Sequence, residues 1–216
     1  METHNEIQQK VATNLLQIKA IKLSPSNPFT WASGLKSPIY CDNRATLSYP
    51  QVRDYIRDSF VTLIRQKYPE VEVIAGVATG AIAHGMLVAE AMGLPFIYVR
   101  SDAKKHGLGN QVEGILEAGQ KVVVIEDLVS TGGSSLVAVD ALREKGANVL
   151  GLLAIFTYGF QKAVDAFAEK NCNLDTLSNY DALLQNACNS GYIDAEKLET
   201  LKQWRLDPAK WGEQFA

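Results

Sequence analysis

Two adjacent carboxylates, Glu126 and Asp127, close an apolar run and open a turn of small residues: Val122-Val123-Val124-Ile125-Glu126-Asp127-Leu128-Val129-Ser130-Thr131-Gly132-Gly133-Ser134-Ser135. Val122 to Ile125 are continuously β-branched, the pattern of a parallel strand covered on both faces. The acids then stand at the carboxyl end of that strand, where open α/β sheets bind their ligands. Gly132, Gly133 and Ser134 fall where a helical pattern begins, so unpaired backbone N–H groups and hydroxyls can surround a phosphate. Acids beside a phosphate cradle suit a ligand with a polyol as well, such as a ribose 5-phosphate. An acid pair can take ribose hydroxyls or hold Mg²⁺ through water. Surface acids after a strand are common; acids, Ser-Thr-Gly-Gly and a helix start in register are much more specific. Other phosphate motifs fit poorly. The chain has no G-x-x-x-x-G-K-[ST], and Gly107–Val112 lacks the third glycine of a dinucleotide fingerprint and follows no strand.

Three more segments could carry chemistry. Tyr98-Val99-Arg100 leaves a strand and runs into Ser101-Asp102-Ala103-Lys104-Lys105-His106-Gly107-Leu108-Gly109. Arg100, Lys104 and Lys105, with His106, suit an anion such as pyrophosphate. A loop charge run is more often merely solvated. Its place one βα step before the acid run, at the same end of a parallel sheet, tips the balance towards function. Gly107 and Gly109 could serve a closing lid as hinges. Gly76-Val77-Ala78-Thr79-Gly80-Ala81 is a second strand-to-helix turn, equally readable as plain turn chemistry. Phe29 to Arg44 mixes aromatics with Lys36, Asp42 and Arg44, a mix that suits a flat anionic heterocycle held by stacking, amides and a cation.

The elements that must position these groups follow from periodicity. Thr3-x-x-Glu6 is a capping box, and Ile7, Val11, Leu15 and Ile18 share one helical face. A second helix starts near Ser48 and Pro50 with Val52, Ile56, Phe60 and Leu63 inward. From about residue 71 the pattern is βαβ: strands at 71–78 and 96–100 flank a helix at 81–92, a strand-like piece covers 112–116, and the acid strand, a helix at 135–145 and a strand at 149–156 complete the core. Residues 161–216 read as short helices, with Ser178 and Asp194 as candidate caps and Leu198, Leu201 and Trp204 as an apolar set. The expected architecture is one α/β domain with a Rossmann-like parallel-sheet core: a hood and N-terminal helices over 1–69, the ligand-binding core over 70–160 and a helical extension over 161–216. His84 and His4 read as structural or solvated, and Trp204 and Trp211 as packing for the tail.

Composition narrows the class. The 216 residues are 47% hydrophobic and 21% charged, ordinary for a globular domain with a full core. A net charge of −3 disfavours a general nucleic-acid binder. No segment reads as a secretory signal or a membrane span, and Cys41, Cys172 and Cys188 lack metal-type spacing. A cytoplasmic protein with free thiols, binding neither membrane nor nucleic acid, is expected.

With these segments in order, the chain resembles the type I phosphoribosyltransferases, and within them the orotate branch with an extended C-terminus. The acid run 122–134 looks like the shared phosphoribosyl pyrophosphate (PRPP) signature. Ser33-Gly34…Ser37-Pro38-Ile39-Tyr40…Asp42…Arg44, Ala78-Thr79-Gly80 and Arg100…Lys104-Lys105-His106-Gly107 narrow the resemblance to orotate. The resemblance implies the type I fold, Mg²⁺ with no direct protein ligand, and a homodimer whose catalytic loop acts in trans. It implies the reaction orotate + PRPP ⇌ orotidine 5′-monophosphate + pyrophosphate, a step of pyrimidine biosynthesis. Lys104, His106 and Asp127 would be catalytic. PRPP would meet Arg100, Lys104, His106, Glu126, Asp127, Leu128, Val129, Ser130, Thr131, Gly132, Gly133, Ser134, Thr79 and Gly80. Orotate would meet Ser130, Tyr40, Cys41, Arg44 and Lys36. The better-studied branch carries lysines where Ala32, Gly80 and Ser101 stand, and an Asp-Arg pair after the strand that here ends Ile155-Phe156-Thr157-Tyr158-Gly159. Arg44 or Lys36 is expected to compensate. Two rivals remain: transfer to another base, which substrate screening separates, and a PRPP-sensing regulator, which would bind PRPP and nucleic acid without consuming a base.

Overall fold

The protein is described by a computed structural model covering residues 2–31, 33–100 and 111–215. Helix α1 (His4–Gln17) begins at the expected capping box, with Thr3 Oγ1 accepting from the Glu6 N–H and the Thr3 N–H donating to Glu6 Oε2 at 2.7 Å. Thr3→Ala should therefore cost about 1 kcal/mol in a urea melt, the usual worth of an N-cap hydroxyl. The hood follows as four short strands, β1 (Ile21–Leu23), β2 (Phe29–Thr30), β3 (Lys36–Ser37) and β4 (Ile39–Cys41). β1 pairs antiparallel with β4, and β2 with β3. A 3-10 turn over Asn43–Ser48 leads into α2 (Pro50–Lys67), which turns Ile56, Phe60 and Leu63 to the core.

The central sheet is built from β5 (Val73–Val77), β6 (Phe96–Val99), β7 (Val112–Glu113), β8 (Lys121–Val129), β9 (Asn148–Thr157) and β10 (Leu174–Asn179). Its order is β10-β9-β8-β5-β6-β7, parallel except for β7, which pairs antiparallel with β6 at one edge. The expected parallel-sheet core is present, with β7 added as an antiparallel edge strand. Helix α3 (Ile82–Met92) follows β5, α4 (Gly133–Glu144) follows β8, and α5 (Gln161–Glu169) follows β9. Val123, Ile125, Leu153 and Ile155 face the core beneath α1, α2 and α3; Val122, Val124, Leu152 and Ala154 face the core beneath α4 and α5. Burial on both faces is why these strands read as unbroken apolar runs.

Residues 161–216 are not helical throughout, because β10 forms the sixth strand. Its sequence Leu-Asp-Thr-Leu-Ser-Asn carries no apolar run, since its polar side chains are satisfied at the sheet edge. Asp175 pairs with Lys67 and accepts from Tyr68 Oη at 2.8 Å, Ser178 Oγ donates to the Gln8 carbonyl, and the Thr176 carbonyl meets His4 Nε2 at 2.9 Å. The remaining helices are α6 (Tyr180–Asn189), α7 (Leu198–Leu206) and α8 (Pro208–Glu213). Asn179, not Ser178, caps α6, and Asp194 makes no side-chain cap.

Candidate functional site

The chain direction reverses between β5 and β8. From β5 it moves through α3 to β6 on one side; from β8 it moves through α4 to β9 and β10 on the other. Helices of opposite faces leave a crevice at such a switch point, outside the carboxyl ends of the strands. A cleft of about 440 Å³ lies there, lined by Cys41–Arg44 of the hood, Val77–Gly80 after β5, and Glu126, Asp127, Leu128 and Ser134. Three of the segments singled out by residue type therefore meet in one place.

The acid strand is longer than its apolar run predicts. β5 accompanies β8 only as far as Ile125, while β9 pairs with it through Val129. Glu126 and Asp127 consequently sit within a strand that has lost its neighbour on the cleft side. Leu128 and Val129, expected in the phosphate cradle, belong to this ladder; the Val129 side chain is buried and its carbonyl accepts from Thr157 Oγ1. The turn proper is Ser130–Gly132. Gly132 has φ +83°, a left-handed conformation suited to glycine, and it precedes α4, whose first N–H groups point out of the helix start.

Glu126 is buried, with Oε1 accepting from the Asp127 N–H and Oε2 from Ser135 Oγ, both at 2.9 Å. Burial first, and the adjacent Asp127 charge second, push its carboxyl up to about 8. Burial also raises Asp127, opposed by hydrogen bonds and by the Arg44 charge. Gly80 stands against this carboxylate: a Cβ there would come within 2.7 Å of Asp127 Oδ1 and nearer still to Oδ2. The Ala78–Thr79 peptide is cis.

The hood is tied to the acids by residues that sequence patterning did not single out. Asn43, buried, donates from Nδ2 to the Asp127 carbonyl at 2.6 Å and accepts from the Cys41 thiol at 3.3 Å. Thr46 Oγ1 donates to the Asn43 carbonyl at 2.6 Å and lies 3.2 Å from His84 Nε2. Burial depresses His84 to about 4, so it is a neutral structural group. Asn43 lies between Asp42 and Arg44 in sequence, but nothing in its type or spacing marks it before the fold buries it.

The structure separates the other expected residues. Arg44 lies in the cleft wall with Nε 2.8 Å from Asp42 Oδ1. Lys36 Nζ instead donates to Thr30 Oγ1 at 3.0 Å, outside that wall. The Tyr40 ring packs 5.8 Å from Phe29, whereas Cys41 lines the cleft. Arg100 directly follows β6 and lies 3.6 Å from Glu113, its backbone held by Gln111. Lys104 and His106, like Lys105, Gly107 and Gly109, lie outside the described residues.

Among the described residues no helix is long and apolar enough to cross a membrane, and no group of three or more His, Cys, Asp or Glu could hold a metal. Residues 46–184 match the phosphoribosyl transferase domain family. An orotate phosphoribosyltransferase of Phocaeicola vulgatus is 57% identical over 205 residues, covering 95% of this chain and 97% of the relative. One from Listeria monocytogenes is 55% identical over 206 residues, covering 95% and 99%. Among solved structures, orotate phosphoribosyltransferase from Aeropyrum pernix superposes with a TM-score of 0.74 at 27% identity, covering 85% of this chain and 99% of that one.

Proposed function

This chain belongs to the orotate phosphoribosyltransferases of the phosphoribosyl transferase domain family, and from that premise we propose how its own residues carry the reaction. The protein is a pentosyltransferase that moves the phosphoribosyl group of PRPP onto orotate, giving orotidine 5′-monophosphate and pyrophosphate in pyrimidine biosynthesis. The observation that supports the residue assignment best is the switch-point cleft, where the acid pair, the β5 turn and the hood converge.

In this reading the start of α4 and the Ser130–Ser134 turn hold the 5′-phosphate through backbone N–H groups and hydroxyls. Asp127 accepts from the ribose hydroxyls. Glu126 already has a donor on each oxygen, so it adds its free lone pairs and fixes the Asp127 backbone. Displacement at ribose C1 builds oxocarbenium character on the sugar, and Asp127, joined by Glu126 once that acid ionises, favours the positive charge. Arg100, Lys104 and His106 meet the departing pyrophosphate, where placed cations contribute most. The Thr79–Gly80 turn lets the ligand approach the acids closely.

Asp127, in the cleft wall, would help to hold Mg²⁺ through water. When bound, the ion neutralises pyrophosphate charge. A homodimer with the 101–110 segment acting across subunits and a cytoplasmic setting complete the proposal.

For orotate, Ser130 and the Tyr40-Cys41 backbone supply hydrogen bonds, and Arg44 supplies the cation. Its position in the cleft wall favours it over Lys36. Arg44→Ala should weaken orotate binding about tenfold, the scale of one charge-assisted hydrogen bond. Unchanged orotate affinity by titration calorimetry would remove Arg44 from this role. The test of the whole assignment is orotate absorbance over time with PRPP and Mg²⁺, against a control without PRPP. PRPP-dependent loss with orotidine 5′-monophosphate on chromatography is expected; PRPP binding without loss of orotate would move the acceptor to another base.

A further inference from the structure

We propose that Trp204, carried by the C-terminal helix α7, is a positioning residue for the acceptor-base half of the site. The inference rests on the assignment of Tyr40 and Cys41 to orotate. Trp204 is fully buried, and its ring meets Trp31 at 5.7 Å and 88°, Tyr158 at 5.5 Å and 87°, Phe160 at 5.3 Å and 62°, and Tyr180 at 5.4 Å. Edge-to-face pairs of this kind fix ring orientation as well as burying area.

One of those neighbours leads to the cleft. Trp31 Nε1 donates to the Ile39 carbonyl at 3.1 Å, in the strand that continues into Tyr40 and Cys41. Tyr158 packs 5.5 Å from Trp31 and so braces the ring that holds this strand. The contact runs from α7 through two aromatic rings to the β4 strap.

A second grip comes from α8. Gly212 packs against the backbone of Lys36 in β3, where an added Cβ would lie 3.4 Å from Lys36 Cβ and 3.6 Å from its nitrogen. Trp211 Nε1 donates to Thr200 Oγ1 at 2.8 Å, joining α8 to α7. The hood hairpin is therefore held from the tail at two points, and both helices lie beyond the stretch that matches the domain family. The Trp204 indole N–H has no partner among the described residues, and its contribution is ring packing. Trp204→Phe removes that buried unpaired donor and leaves an aromatic in the box, which favours folding of the variant.

The experiment compares wild type, Trp204→Phe and Gly212→Leu as full chains, reading Tm, kcat and the KM for each substrate. KM for orotate should rise about fivefold or more in both variants, with KM for PRPP within about twofold, because small displacements of a positioning group act on the substrate it touches. A purely structural role predicts lower Tm with both KM values moving together or neither, and that result overturns the inference. Should Trp204→Phe fail to fold, Gly212→Leu decides by the same split. Wild type inert towards orotate would overturn the underlying assignment and the inference with it. Normal wild-type turnover with unaltered orotate KM in the variants would overturn the inference alone.

Discussion

Gly80→Ala is expected to lower kcat/KM for PRPP by about a hundredfold, the scale for displacing a catalytic group by roughly 1 Å. The space for a methyl group at residue 80 is already filled by the Asp127 carboxylate. Asp127 cannot yield by a long flexible arm: its side chain is short, its N–H is committed to Glu126 Oε1 and its carbonyl to Asn43 Nδ2. Either the carboxylate rotates out of the cleft or the turn after β5 withdraws from it. Both separate the two walls that are proposed to enclose ribose. The core beneath is untouched, so Tm should fall by no more than a few degrees, in line with about 1 kcal/mol of local rearrangement. Steady-state rates over a PRPP series measure the effect. An alanine variant with wild-type kcat/KM would show that the contact between Gly80 and Asp127 does not shape the site.

The same geometry explains what was legible in the chain and what was not. The acid run and its glycine turn are local, and a strand, a turn and a helix start need only neighbours in sequence to declare themselves. Thr3 and Glu6 likewise announced α1, because a capping box is a reciprocal bond within one turn. Strand β10 left no such mark, since Asp175 and Ser178 are satisfied by Lys67, Tyr68 and the Gln8 carbonyl, all distant in sequence. The extension of β8 past Ile125 was hidden for a related reason: only the register with β9 keeps Glu126 to Val129 in the sheet. Asn43 and Thr46 became visible only when folding set them against Asp127 and His84. Local chemistry reads from sequence; the bonds that join hood to core require the fold.

Glu126→Gln should raise stability at neutral and alkaline pH while lowering activity, a combination that separates a strained functional group from a structural one. Burial and the Asp127 charge hold the Glu126 carboxyl up to about 8 in the folded protein, against an ordinary value of 4.5. Between those values the folded state keeps a proton that the unfolded chain has released. Stability must therefore fall as pH rises from about 4.5 to about 8, by up to about 1.4 kcal/mol per pH unit, and level off above. Glutamine cannot ionise, so the variant escapes this loss, which reaches a few kcal/mol by pH 8 as an order of magnitude. Its amide oxygen can still accept from the Asp127 N–H, and its NH₂ can donate to Ser135 Oγ, because a hydroxyl accepts as readily as it donates. Melting curves of the free protein at pH 5 and pH 8 should show the two chains close together at pH 5 and the variant higher at pH 8. Activity should decline at pH 8, where glutamine removes negative charge that the ionised acid would place beside the developing positive sugar. A variant less stable than wild type at both pH values would mean that Glu126 is held by its hydrogen bonds more strongly than it is opposed by burial.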